Sequence, residues 1–422
     1  MSGSREETLR ANGLLHHVIR WEPAGTGAAP AATILCAHGF LDVGFSFRQV
    51  AERLVAKGHR VIAFDWRGHG ESEWVGAGGY YHFMDYVADL ADLVRQLVPG
   101  PLHLVGHSMG GTAAALFAGS FPERVEKLIL LEGLGPEEGK PVPLPVRAAK
   151  WVDSVRMVRE RAPRVMATLE EALGRMRIQN PSLSDELGLE LAGHSTAPVD
   201  GGFRWSFDPI HQTRGPYPFR TENFIEFLRA IRAPTLLVDG SEGYRAADQA
   251  DRRAALPHAK LLELPEVGHM MHWFAPDQVA AAIHDFVTCG EVPGASADAA
   301  PSGLRAKRCV PCEGGVPKLG PAEQAPLLRE VPGWRSEDDR LRREFVFANF
   351  VEAMAFLDRV AALAEDEGHH PDFTVHYNKV DFTIWTHAIG GLSENDFILA
   401  AKIDELAAAA RPNGGAEHEK GR

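Results

Sequence analysis

Cysteine is scarce in this chain: four among 422 residues, too few for a disulfide framework in a chain of this length. There is no excess of positive charge. Acidic side chains number 57 against 44 basic ones, for a formal charge of −13, which excludes the broad basic surface that non-specific nucleic-acid or anionic-membrane binding requires. No apolar run reaches about eighteen residues, so no spanning helix is expected. The opening Met-Ser-Gly-Ser-Arg-Glu-Glu is polar and lacks the apolar heart of a signal sequence. These absences lead to the expectation of a cytoplasmic, reduced protein acting on small molecules, without nucleic-acid or membrane partners.

Hydrophobic residues make up 45% and charged residues 24%, an ordinary globular balance, and the length calls for more than one core. The clearest seam is Cys289 to Gly303, small, polar and broken by proline, which reads as a linker. The expected organisation is one domain over 1–288 with an inserted cap at about 136–230, a linker over 289–304, a second domain over 305–410 and a disordered tail over 411–422. No internal repeat is present.

Before the seam, short apolar runs alternate with helical patterns. Thr33–Ala37, Val61–Phe64, Leu102–Val105, Leu128–Leu131, Thr235–Val238 and Lys260–Leu264 read as buried strands. Phe47–Lys57, Tyr86–Leu97 and Thr112–Ser120 read as helices. This alternation predicts a mainly parallel sheet covered on both faces. After the seam, Ala322–Glu330 reads as a helix, Trp334 to Phe347 as two strands, and the spacing of Phe350, Ala353, Met354, Leu357, Val360 and Leu363 predicts another helix. A hairpin around Asn378-Lys379 and a last helix opened by the capping-box pair Ser393 and Asp396 complete an α+β domain with a small antiparallel sheet.

Two constellations carry chemistry. In the first, Gly106-His107-Ser108-Met109-Gly110 sits between a strand and a helix, where the glycines permit a strained turn that exposes Ser108. His38-Gly39-Phe40 ends an earlier strand, and the N–H groups of Phe40 and Met109 are candidate oxyanion donors. Downstream, Glu266-Val-Gly268-His269 supplies a general base in His269. His38, His59, His69 and His272 read as packed or surface histidines. These residues, with Asp65-Trp66-Arg67-Gly68-His69-Gly70, resemble the α/β-hydrolase family across about residues 12–288. The resemblance implies Ser108 as nucleophile, His269 as base and an acid between them in the chain. The usual place for the acid reads Gly240-Ser241-Glu242-Gly243, with glycine where an aspartate belongs. Glu132, after the Leu128–Leu131 strand, is the first choice; Glu242 and Asp248 follow. A serine nucleophile points to ester, thioester or amide hydrolysis. Trp151, Met157, Phe203, Trp205 and Phe207 in the cap hint at an apolar acyl or aryl group.

In the second, Glu365, His369, His370, His387 and Asp396 gather imidazoles and carboxylates within about thirty residues, and imidazole is the side chain that exchanges protons near neutrality. With Cys309-Val-Pro-Cys312, Gly333-Trp334, Phe345-Val-Phe347, Pro371, Tyr377, Thr386 and Gly390-Gly391-Leu392, this region resembles pterin-4a-carbinolamine dehydratase over residues 305–410. The resemblance implies removal of water from a 4a-hydroxytetrahydropterin to give a quinonoid dihydropterin. His369, His370 and His387 are then the acid–base and binding set, with Glu365 and Asp396 orienting imidazoles. Two adjacent histidines at a strand start would address different faces of a flat ring, and His387 on the partner strand would reach back. His376 reads as a surface residue. Pterin is the substrate, so no cofactor is expected. No metal is expected either, because adjacent histidines rarely chelate one ion together and Cys309-x-x-Cys312 lacks a second pair. The resemblance also implies self-association of this domain. The competing reading makes it a non-catalytic dimerisation module beside a single hydrolase.

Overall fold

The computed structural model describes residues 4–24, 30–139, 141–162, 164–246, 248–256, 258–297, 304, 307–309 and 318–409. The chain divides into two compact units, residues 1–298 and 299–422.

In the first unit the strands are β1 (Ser4–Ala11), β2 (Leu14–Trp21), β3 (Thr33–Ala37), β4 (Arg60–Phe64), β5 (Leu102–His107), β6 (Val125–Leu131), β7 (Thr196–Val199), β8 (Gly202–Trp205), β9 (Thr235–Gly240), β10 (Lys260–Leu264) and β11 (Ser296–Ala297). The helices are α1 (Arg48–Ala56), α2 (Phe83–Leu97), α3 (Met109–Ser120), α4 (Leu144–Glu160), α5 (Leu169–Met176), α6 (Asp185–Ser195), α7 (Thr221–Ala230), α8 (Gln249–Ala254), α9 (Met271–Phe274) and α10 (Pro276–Cys289). Nine strands form one sheet in the order β1-β2-β4-β3-β5-β6-β9-β10-β11. The β4-β3-β5-β6-β9-β10 run is parallel. These strands are mainly aliphatic because both faces are buried. One core cluster carries Leu35, Leu104 and Leu128 and the other Ile34, Val105 and Ile129, so successive residues feed opposite faces.

Two expectations change here. Helix α7 lies inside the segment assigned to the cap, yet Phe224 and Leu228 are buried in the main core; the inserted segment therefore gives way to the sheet-covering layer at Thr221. The seam is also less bare than its composition suggests. Val292 is buried in the second core cluster, and Ser296–Ala297 add an antiparallel edge strand to β10.

The second unit contains β12 (Arg335–Glu337), β13 (Arg340–Val346), β14 (Asp372–His376) and β15 (Lys379–Ile384), with α11 (Pro321–Glu330), α12 (Phe350–Glu367) and α13 (Glu394–Ala409). The sheet is antiparallel in the order β12-β13-β15-β14. Trp334, Phe345, Phe356, Phe382 and Phe397 build its core. Asn349 caps α12 by accepting from the Glu352 N–H at 3.0 Å, and Gly368, left-handed at φ 61°, ends it. The hairpin turn falls on Tyr377 and Asn378, one residue earlier than expected, with Tyr377 at φ 57°. His376 is exposed. Cys312 and the expected tail lie outside the described residues.

Candidate active sites

The turn between β5 and α3 is strained at its serine. Ser108 has φ 52° and ψ −119°, a conformation that costs on the order of 1–3 kcal/mol and persists only where the surroundings enforce it. The enforcement is steric. A Cβ on Gly106 would lie 2.5 Å from the Gly111 Cα, and one on Gly110 would lie 2.3 Å from the Ala37 carbonyl oxygen. The segment after β3 presses on the same turn, since a Cβ on Gly39 would stand 3.3 Å from the Ser108 Cβ. Met109 is the first residue of α3, where N–H groups have no helical acceptor. Neither its N–H nor that of Phe40 is taken up by another group among the described residues.

His269 Nδ1 donates to Glu132 Oε2 at 2.6 Å. Glu132 closes β6 at φ 45° and its carboxylate also accepts from the N–H groups of Gly240 and Tyr244, each at 3.1 Å. Burial opposes its charge, but the bonds from His269, Gly240 and Tyr244 outweigh burial and hold the carboxyl below the usual carboxylate range. Gly243 makes room for it. A Cβ there would fall 1.5 Å from Glu132 Oε1, so the carboxylate of one strand occupies the space that a side chain on the next loop would need. Of the other candidate acids, Glu242 is exposed, and Asp248 is engaged by Arg252 at 2.9 Å and by Thr221. The neighbour that sequence reasoning passes over is His107. Its Nε2 donates to the His269 carbonyl at 2.9 Å, tying the base loop to the nucleophile turn. The cap aromatics are divided. Trp151 joins Tyr80, Val152 and Val155 around a cavity of about 620 Å³ that Ser108, His269 and Glu132 do not line, and Trp205 stacks on Phe207.

In the second unit His369 and His370 stand in the connection between α12 and β14, not at a strand start, because Gly368 reverses the chain and Pro371 delays the ladder. His387 opens a 3-10 turn after β15 and is not on that strand. His369 is buried, and its Nε2 donates to Asp396 Oδ1 at 2.7 Å. Asp396 is fully buried and also accepts from Thr386 Oγ1 at 2.8 Å and from the Ser393 N–H at 2.7 Å. One carboxylate therefore caps α13 and orients an imidazole. His370 and His387 are exposed; Glu365 stands 3.2 Å from His370 Nε2, and Asp372, absent from the sequence-based set, stands 3.6 Å from His387 Nε2. Trp385 bonds that same Asp372 at 3.1 Å.

Known proteins fall on the two units separately. The family described as alpha/beta hydrolase fold matches residues 32–276, and the family described as pterin 4 alpha carbinolamine dehydratase matches residues 317–406. A protein of Nitrosospira multiformis named for pterin-4-alpha-carbinolamine dehydratase is 52% identical over 24% of this chain and 91% of its own length. One of Rubrobacter xylanophilus bearing the same name is 49% identical over 25% and 99%. Among solved structures, the thioesterase domain from the curacin biosynthetic pathway is 30% identical with a TM-score of 0.59, covering 67% of this chain and 99% of that domain. No described helix is long and apolar enough to cross a membrane. The chain belongs to the alpha/beta hydrolase fold family through its N-terminal unit and to the pterin-4-alpha-carbinolamine dehydratase family through its C-terminal unit.

Proposed function

We propose that the C-terminal unit dehydrates a 4a-hydroxytetrahydropterin and that the N-terminal unit hydrolyses an ester or thioester through Ser108, His269 and Glu132. The observation that carries the dehydratase reading is the Asp396–His369 pair beside two exposed imidazoles. The departing 4a-hydroxyl needs a proton, and a ring nitrogen must lose one; imidazoles serve both ends without a nucleophile, metal or cofactor. His369, fixed by Asp396, has a set orientation, whereas His370 and His387 are open to a ligand, with Glu365 positioning His370. For the hydrolase, the strained Ser108 turn and the His269–Glu132 bond supply a nucleophile and an oriented base, and Phe40 and Met109 offer N–H groups for the oxyanion. Likeness to a thioesterase domain at 30% identity supports a thioester among the substrate classes. Self-association of the C-terminal unit is supported by its edge strand β14, which leaves Phe373 exposed, and by Tyr377, exposed in the turn that follows.

Turnover of a 4a-hydroxytetrahydropterin by the full chain and by His370→Ala tests the dehydratase. Loss in the variant is expected, and equal rates would leave a non-catalytic module as the better reading. Fluorophosphonate labelling, present in the wild type and absent in Ser108→Ala, tests the hydrolase; an unlabelled wild type would remove it.

A further inference from the structure

Behind the nucleophile turn lies a polar cluster that neither proposed reaction uses. One oxygen of Asp42 and one ring nitrogen each of His107 and His272 stand within 4.8 Å of one another. All three residues are buried, with Asp42 7%, His107 1% and His272 0% exposed. His272 Nε2 is 3.4 Å from Asp42 Oδ2 and 3.2 Å from Ser46 Oγ, and Ser46 Oγ donates to Asp42 Oδ2 at 2.8 Å.

The polar capacity of this cluster is not filled from within the protein. His107 spends Nε2 on the His269 carbonyl, and its Nδ1 has no partner. Buried polar atoms without partners are rare and costly. Among the described residues, Asp42 forms no ion pair with lysine or arginine; the ring it faces is His272. A metal ligand must be a neutral imidazole. His107 offers its Nδ1 lone pair on that condition, since Nε2 carries the proton donated to the His269 carbonyl.

We propose that Asp42, His107 and His272, with the Ser46 hydroxyl beside them, bind a divalent transition-metal ion. The donor set is nitrogen and oxygen without thiolate, which suits zinc, cobalt or nickel and disfavours soft monovalent copper. Ligand atoms at about 2.0–2.2 Å from a tetrahedral zinc stand roughly 3.3–3.6 Å apart. The Asp42–His272 pair already has that spacing at 3.4 Å, and His107, within 4.8 Å of both, would close in by no more than roughly 1.5 Å. The ion would join the segment after β3, the end of β5 and α9. Coordination of His107 through Nδ1 would polarise its Nε2–H, tightening the grip on the His269 carbonyl. Metal loading would thereby act on the base loop without touching Ser108 or Glu132.

Cobalt(II) and zinc(II) titrations of the chelator-stripped full chain test this. The expected result is one saturable site per chain, with cobalt d–d bands and no thiolate charge-transfer band. Asp42→Asn and His272→Gln should each weaken it by about 10–100-fold, while Cys309→Ser and His370→Ala leave it unchanged. Should both cluster variants misfold by circular dichroism, X-ray absorption of the zinc-loaded wild type decides. Nitrogen and oxygen scattering with two imidazoles fits, whereas sulfur scattering overturns the site. Absence of saturable binding below about 100 µM, or equal binding in wild type and Asp42→Asn, also overturns it.

Discussion

Glu132 Oε2 accepts a hydrogen bond from His269 Nδ1–H at 2.6 Å, although 137 positions separate the two residues in the chain. Glu132→Gln keeps the shape but permits the wrong imidazole orientation and removes the charge that steadies a protonated base. It should lower kcat/KM on a p-nitrophenyl ester by about 10²–10⁴-fold. Glu242→Gln should change it by less than about twofold, since an exposed side chain away from such contacts is close to neutral. Steady-state kinetics of the two variants decide between the acids.

The clash at Gly243 makes a sharper test. Gly243→Asp alone should abolish hydrolysis, because its Cβ would meet Glu132 Oε1 at 1.5 Å. Combined with Glu132→Ala, the same aspartate gains the vacated space beside His269 and should recover at least about tenfold over Glu132→Ala alone. No recovery in a folded double variant would show that the carboxylate must hang from β6.

Asp396 has two duties that separate by mutation. Ser393→Ala removes a hydroxyl that donates to Asp396 Oδ2 at 3.2 Å and meets Thr386 Oγ1 at 2.8 Å; it keeps the Ser393 N–H and the Asp396 charge, and should cost about 0.5–1.5 kcal/mol of stability while leaving dehydration nearly intact. Asp396→Asn keeps the isostere but withdraws the charge facing His369, and dehydration should fall by about 10²-fold or more. Thermal midpoints and turnover measured on both variants check the separation.

Acid should weaken the N-terminal unit well before its carboxylates titrate. Burial holds His59 and His211 at about 4 against 6.5 for the unfolded chain. As pH falls through 6.5 the unfolded chain takes up protons that these two refuse until about pH 4. Their contribution is full above that window and falls by at most about 1.4 kcal/mol per pH unit for each group. Glu132 acts lower, because its depressed carboxyl contributes above the ordinary glutamate range and loses that contribution only as pH drops through its folded value. Urea midpoints, read as loss of labelling at Ser108, should drop between pH 7.5 and 5.0, and His211→Asn should flatten the slope.

Much of this was legible in residue order. Strands β3 and β10 fall where short apolar runs place them, and the α12 helix follows its apolar spacing because periodicity and burial agree there. The β1–β2 hairpin escapes such reading because Ser4–Ala11 is mostly polar and exposed; its signal is Asn12-Gly13, both at positive φ. Helix α7 is misplaced because an amphipathic helix looks the same in a cap and on a sheet. The serine and base candidates follow from turn chemistry, whereas the space that Gly243 leaves for Glu132 is a through-space relation that no spacing encodes. His387 lies past the end of β15, and the bridge from Thr386 to Gly391 that bends the chain there is likewise non-local.

Ser108 and Glu132 each sit at positive φ one residue beyond the last paired position of β5 and β6, His107 opposite Leu131. Their separation is therefore ruled by the lattice of neighbouring strands, not by any surface loop. A denaturant or pressure jump that unzips those two strands erases nucleophile and acid in one event, while local opening around His269 merely idles the machinery. Irreversible labelling at the serine thus doubles as a chemical gauge of whether the middle of the sheet is still shut.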